Sequence, residues 1–434
     1  MKRVLIVSYY WPPGGGGGVM RWLKMSKYLS KNSDWNPLVF TPKNAGYLIK
    51  DSSLEKEVPE EIEVIRLPIL EPNNFLGSIG LSGLKNKVAS GGISGGSKKQ
   101  NLKDRMIVWV RSNLFIPDPR FMWIKPAADR IIDLVNEKKI SAIITTGPPH
   151  SMHLIGLHVK KRCQVKWIAD FRDPWTFIDF FEDLKLTNWA RKKHFRLEKK
   201  VIESADRLVT VSKSWGEEFF QLYGRKFEII TNGYDPEDFT SNSSNTTSDF
   251  FEITHIGSLS KDRNHPVFWQ VLANICQSNS AFKEKLKVSL IGTITPELSS
   301  EIKELGLSDN VILIDHMPHG EVIKKIEAST LLLLLINNTS NQMGIIPGKL
   351  YEYLAATRPI LCIGTKEGDT AAIIQETQSG EVIDFNDTAT LEKVLLAYFS
   401  EYITNNNIEY KGVNIEKYSR KELALKYAEL LNSL

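Results

Sequence analysis

Three features of the sequence predict two doubly wound α/β domains, each a parallel sheet covered by helices on both faces. Short apolar runs alternate with amphipathic stretches almost throughout, the pattern of repeated strand–helix–strand units. That pattern runs twice, with a polar break between the two runs. The chain has 434 residues, more than one ordinary core organises.

In the first half the strand candidates are VLIVSYY, PLVFT, AIITT, VKWIAD, RLVTVS and FEIIT, and in the second they are FEITHIG, KVSLIG, NVILID, TLLLLLI and PILCIG. Helical periodicity falls between them, for example over Trp22 to Lys31, Ala127 to Lys138 and Val322 to Ala328. The break is TNGYDPEDFTSNSSNTTSDF, where an Asn-Gly turn precedes a Ser/Thr/Asn-rich stretch that cannot build a core. We place the first domain at 1–232 and the second at 233–415. Between Leu76 and Gln100 Gly and Ser accumulate among lysines and apolar residues. That segment reads as an insertion in the first domain: a lid, a membrane-touching loop or a plain surface loop.

With 42% hydrophobic and 24% charged residues the composition is that of a globular protein. The longest apolar runs, Val4 to Val7 and Leu331 to Ile336, are far too short to span a bilayer. Met-Lys-Arg and its apolar run end in Trp-Pro-Pro-Gly without a small-residue cleavage site, which reads as a first strand and not a signal peptide. Cys163, Cys276 and Cys362 are too scattered for disulfides or a metal site, so a cytoplasmic protein is expected. The net charge of +4 is unevenly divided. Residues 1–235 hold 38 Lys and Arg against 25 Asp and Glu, a balance of +13, and the remainder carries −9. The basic clusters, ARKKHFRLEKK among them, lack a nucleic-acid motif or interleaved aromatics, so nucleic acid is not an expected partner. An anionic membrane surface or a phosphate-bearing acceptor fits a basic half as well as nucleic acid would, and for any single cluster a solvated helix face is the first reading.

Two motifs carry chemistry. The first, SYYWPPGGGGGVMR, sets five glycines, Gly14 to Gly18, between a strand and a helix. Bare backbone there lets a phosphate or sugar approach the amides, and Gly16 and Gly17 are the candidate contacts. Without Gly-Lys-Ser/Thr it is no nucleotide-hydrolase P-loop, and it lacks the dinucleotide fingerprint. The second, IIPGKLYEYLAATRPIL, puts Lys349 and Glu352 on one helix face. Lysine there can meet a diphosphate, and glutamate one turn on can accept both hydroxyls of a ribose; a surface ion pair would have the same spacing.

The second motif resembles the donor-site helix of glycosyltransferases with the GT-B fold, specifically the retaining family 4, group 1 type. Further resemblances follow in order: the glycine loop, TTGPPHS, IADFRDPW, the crossing segment TNGYD, and HIGSLSKDRN at the start of the second domain. YSRKELALKYAELL resembles the helix that returns to the first domain, expected at 416–434. The resemblance implies two Rossmann-like domains facing a cleft, an acceptor-side first domain and a donor-binding second one. It implies Lys349 and Arg263 at the diphosphate, with Lys261 a weaker choice than Arg263, and Glu352 at the ribose. Gly292, Thr293, Met317 and His319 would lie at the base. His150 would face the donor sugar or the acceptor, and Asp170, Arg172 and Asp173 would be acceptor-side groups or a local ion-pair network. Two positions depart from the family pattern. Gly344 stands where the first carboxylate of Glu-x7-Glu belongs, so the sugar contact would fall to backbone at Gly344, Ile345 and Ile346 or to Asn341. Ser258 stands in place of an arginine.

There is no Asp-x-Asp, and neither His150 with His153 nor His316 with His319 has acidic companions at ligand spacing, so no metal or other cofactor is expected. The implied activity is a retaining, metal-independent hexosyl transfer from a nucleotide-sugar to a lipid-linked or surface-glycan acceptor. The setting would be bacterial polysaccharide or glycoconjugate biosynthesis at the inner face of the cytoplasmic membrane. A sugar-nucleotide epimerase of the same fold, and a degenerate sugar-nucleotide-binding subunit, remain as alternatives.

Overall fold

A computed structural model describes residues 2–71, 102–239, 248–315 and 317–434; the Gly/Ser-rich segment 76–100 lies outside them. The chain divides into two compact units, Met1–Asn232 with Arg420–Leu434, and Gly233–Ser419. Each is built on a parallel sheet, the fold class that the alternating pattern predicts.

The first unit's strands are β1 (Lys2–Val7), β2 (Trp35–Pro42), β3 (Val64–Leu67), β4 (Ile140–Gly147), β5 (Lys166–Phe171), β6 (Arg207–Thr210) and β7 (Glu228–Ile229), in the order β3-β2-β1-β4-β5-β6-β7. Alternate residues of β1 feed opposite faces: Leu5 and Val7 join one core cluster, Val4 and Ile6 another. Burial on both faces is why the strand reads as a continuous apolar run. The short β3 escaped the sequence reading because its four residues carry Arg66 and are only half-buried, so they form no continuous apolar run. Arg420–Asn432 belongs to this unit, its Leu423, Tyr427 and Leu431 packing with Val19, Trp22 and Leu23 of the Gly17–Asn32 helix.

The second unit's strands are β8 (Phe251–Ile256), β9 (Leu286–Ile291), β10 (Val311–Ile314), β11 (Leu331–Leu335), β12 (Ile360–Ile363) and β13 (Gly380–Ile383), in the order β10-β9-β8-β11-β12-β13. The five leucines of β11 are divided in the same way, Leu331, Leu333 and Leu335 to one cluster, Leu332 and Leu334 to the other. In both sheets the strand order reverses direction once, between β1 and β4 and between β8 and β11. Loops leave in opposite directions at such a point and open a crevice at the strands' C-terminal ends, where open α/β sheets bind ligands.

Candidate active site

In the second unit the chain leaves β8 through Gly257, whose φ of +101° is left-handed backbone. A β-carbon there would also come within 3.1 Å of the Lys349 Nζ, so the glycine lets the lysine lie against the strand end. Gly292, at the end of β9, has φ +123°, and its α-carbon packs so closely on Gly257 that a β-carbon would lie 3.0 Å from the Gly257 carbonyl carbon. Lys349 Nζ donates to the Ile256 carbonyl and lies 3.2 Å from His255 Nε2. Arg263 is set on the same crevice by its Nε–H donating to Asn337 Oδ1 at 2.9 Å and by Nη1 donating to the Ser258 carbonyl at 3.1 Å. Burial lowers both side chains from their ordinary pKa values, and the Arg263 charge pushes Lys349 down further, with Glu352 partly opposing. Two cations confined at one switch point, each uncomfortable with its charge, make a site that an anion stabilises.

Glu352 is half-buried on the same helical face as Lys349. The Gly344 and Ile345 amides donate to Asn341 and Gln342 carbonyls, and the Ile345 carbonyl accepts from Thr370 Oγ1 at 2.7 Å. Those three backbone groups are taken up within the loop, so of the backbone expected to meet a sugar at Gly344 and Ile345 they are not the free ones. Ile346 is half-buried against the core. Thr293 has an exposed side chain, with its carbonyl accepting from Leu259 N at 2.9 Å, and Met317 is half-buried. His319 pairs with Asp238 at 3.2 Å, tying the start of its helix to the Pro236–Phe239 turn.

In the first unit the glycine loop leaves β1 and Gly-Pro-Pro-His leaves the adjacent β4. Four glycines have local reasons. Gly14 and Gly15 back onto Trp11 and Ile49, Gly16 has φ +84°, and a β-carbon on Gly18 would meet the Tyr10 ring at 3.2 Å. At Gly17 a β-carbon would meet no protein atom within 4 Å. His150 stacks on Trp175 with ring centroids 4.9 Å apart. Burial, then the neighbouring His153, His194 and Arg172, holds its imidazole neutral, well below the ordinary histidine value.

The three charged residues after β5 separate. Asp170 is fully buried and accepts from Arg21 (2.9 and 3.1 Å), Trp22 Nε1 (2.9 Å), Thr146 Oγ1 (2.9 Å) and Tyr427 OH (2.8 Å). It is a structural counter-ion with no surface to offer, a correction to its acceptor-side placement. Arg172 donates to the carbonyls of Gly18 (3.0 Å), Gly147 and Pro148, clasping the glycine loop to the loop after β4; this too is a framework role. Asp173 is half-buried, its carboxyl raised by burial with Arg172 pulling it down. It remains the acceptor-side candidate of the three.

Sequence reasoning missed His255, Asn337 and the Arg21–Tyr427 pair. His255 lies in a strand buried on both faces, where no periodicity marks a polar residue as special. Arg21 lies 149 positions from the aspartate it meets.

Comparison with known proteins fixes the class. Residues 87–238 match the family described as Glycosyltransferase Family 4, and residues 236–432 that described as Glycosyl transferases group 1. No curated protein matches the sequence. Among solved structures, Anabaena Alr3699/HepE in complex with UDP-glucose is similar with a TM-score of 0.64 and 14% identity, both chains covered to 100%. An α,α-trehalose-phosphate synthase (UDP-forming) from Burkholderia xenovorans in complex with glucose-6-phosphate matches at 0.62 and 9%, again over 100% of both chains. Sucrose-phosphate synthase from Thermosynechococcus elongatus matches at 0.60 and 12%, over 100% of this chain and 99% of that one. Two parallel-sheet units with this likeness have the GT-B fold. The chain belongs to the group 1, family 4 glycosyltransferases.

Proposed function

We propose that the protein is a retaining glycosyltransferase that moves a hexosyl group from a nucleotide-sugar to a lipid-linked or surface-glycan acceptor in bacterial glycoconjugate assembly. The observation that carries the reading is the convergence of Lys349 and Arg263 at the β8/β11 switch point, two half-buried cations whose charges a diphosphate would satisfy. Transfer builds negative charge on the departing nucleoside diphosphate, and preorganised donors stabilise it without reorganisation. These two side chains carry that charge in a metal-independent mechanism, and the departing phosphate takes the acceptor proton on the front face. Glu352 holds the ribose. His150, neutral and stacked, offers a hydrogen bond and no charge to a sugar. The open space at Gly17 admits a ligand where any side chain would intrude.

The test is nucleoside-diphosphate release over a panel of nucleotide-sugars, with and without acceptor and chelator. Turnover that persists in chelator is expected; its complete loss rules out the metal-independent step. Sugar-nucleotide isomerisation without acceptor would instead identify an epimerase. Glu352→Ala is expected to raise the donor KM with a smaller change in kcat, and an unchanged KM removes Glu352 from the site.

A membrane-borne acceptor accords with the first unit's surface. No helix among the described residues is long and apolar enough to cross a membrane. The Asn188–Ser204 helix exposes Trp189 (58%) and Phe195 beside exposed Lys192, Arg196, Lys199 and Lys200. The Leu102–Leu114 helix, tied to the residue before it by Thr187 N donating to Asn113 Oδ1 at 2.6 Å, exposes Met106, Trp109 and Leu114. Trp189 and Phe195 thus set aromatic rings among the basic side chains of the Asn188–Ser204 helix, against the expectation that the cluster lacks them, and that mixture suits the boundary of an anionic bilayer. Replacing Lys192, Arg196 and Lys199 together by glutamine should weaken partitioning to anionic vesicles about a hundredfold, at ~1 kcal/mol per cation. Equal partitioning of the wild type to neutral and anionic vesicles would defeat the idea.

A further inference from the structure

We infer that His255 is a positioning residue for Lys349, holding the ammonium at the end of β8 through its Nε2 lone pair. The inference rests on the proposed role of Lys349 and adds a residue that lies behind it, out of reach of substrate.

His255 is fully buried in β8. Its Nδ1 lies 2.9 Å from the Leu333 carbonyl on neighbouring β11, and its Nε2 lies 3.2 Å from Lys349 Nζ. A carbonyl only accepts, so Nδ1 carries the proton and donates to it. The neutral ring then presents a lone pair at Nε2, and Lys349 donates into it. The opposite tautomer would leave two acceptors facing each other at Leu333 and an N–H aimed at the lysine. The ring is kept neutral as well: burial, and next the Lys349 charge, hold its pKa well below the ordinary histidine value.

Lys349 has a second acceptor, the Ile256 carbonyl, whose peptide is held on its other side by Gly257 N donating to the Ile291 carbonyl at 2.7 Å, while the peptide before it is held in turn. Ile256 N donates to Tyr353 OH at 3.1 Å, and Tyr353 reaches the same Leu333 carbonyl at 3.4 Å. Lysine is a flexible four-carbon stem with a point charge at its end. Two fixed acceptors restrict two of its three donors and leave the third to face the crevice beside Arg263. A side chain that could only pack at position 255 would leave the ammonium with one anchor and the freedom to swing.

The experiment separates this role from mere packing. His255→Asn keeps a donor where Nδ1 meets Leu333 but cannot reach Lys349, and His255→Gln places an acceptor at the position of Nε2. Calorimetric binding of UDP and of GDP is measured for the wild type, both variants and Lys349→Ala. Loss of one hydrogen bond to a charged group should weaken diphosphate binding about tenfold or more in the Asn variant. The Gln variant should recover most of that loss, and in turnover the Asn variant should lose more in kcat than it gains in KM. Nitrogen-15 spectra of labelled histidine supply a readout independent of activity: His255 should be protonated at Nδ1 only, with its Nε2 resonance moving in Lys349→Ala. Protonation at Nε2 would overturn the proposal. So would an Asn variant that binds like the wild type while Lys349→Ala does not. Should Lys349→Ala itself bind like the wild type, the diphosphate reading of Lys349 fails, and the nitrogen-15 result still decides whether His255 holds it.

Discussion

Lys349→Met should lower kcat/KM by a hundredfold or more while raising the unfolding temperature of the protein. The first effect follows from its proposed place at the leaving diphosphate, since removing one preorganised donor from a developing charge costs about 3 kcal/mol of transition-state stabilisation. The second follows from burial. Lys349's pKa lies well below 10.5, driven down first by burial and then by Arg263. Between that depressed value and 10.5 the unfolded chain binds the proton more tightly than the folded protein does. Protonation in this window therefore favours unfolding, and an apolar side chain of similar length relieves it. A residue whose loss stabilises the fold and disables turnover is kept for function. The same linkage fixes the sign for the ligand. A bound diphosphate raises the lysine pKa, so binding takes up a proton in the same window and affinity falls as pH rises through it. Calorimetry in buffers of different ionisation enthalpy reads that uptake directly. Activity within a factor of two of wild type in Lys349→Met would remove the lysine from the mechanism.

The fold class was legible because both sheets are buried on two faces, which turns each central strand into an unbroken apolar run such as Leu331–Leu335. Two of the four edge strands were not: Val64–Leu67 and Gly380–Ile383 carry Arg66 and Glu381 and lie partly exposed, so their composition resembles that of loops, whereas the edge strands β7 and β10 fall within the apolar runs FEIIT and NVILID. The family was legible from local motifs, because Lys349 and Glu352 are one helical turn apart and need no tertiary information to be paired. What sequence could not supply is which charged residue faces inward. IADFRDPW contains three charges in four positions. Asp170 is still within β5 and points into the core, whereas Asp173 has left the sheet. His255 was hidden for the same reason, since its neighbours in the strand give no sign that the lysine returns to it from 94 residues away.

Asp170→Ala is expected to destabilise the first unit by about 3–5 kcal/mol, the usual cost of removing one partner from a buried ion pair. Arg21, with 1% exposure, would be left without its carboxylate, and Trp22 Nε1, Thr146 and Tyr427 would each lose an acceptor. Tyr427 lies on the C-terminal helix and Arg21 on the helix that follows the glycine loop, so this one carboxylate ties the last residues of the chain to the first strand–helix unit. Burial alone would raise its pKa, but Arg21, followed by the hydrogen bonds from Arg21, Tyr427 and Trp22, brings it below the ordinary carboxylate value. A depressed carboxyl contributes stability that is present above the unfolded value and lost as pH falls through the folded one. The wild type should therefore lose stability in acid through this group, and Asp170→Ala should lack that component. Arg21→Met combined with Asp170→Leu should unfold at a higher temperature than Asp170→Ala alone, because no charge is then left unpaired in the core. Calorimetric melting that follows the first unit's transition checks both statements. A double variant no more stable than the single one would show that packing, and not the unpaired guanidinium, dominates the loss.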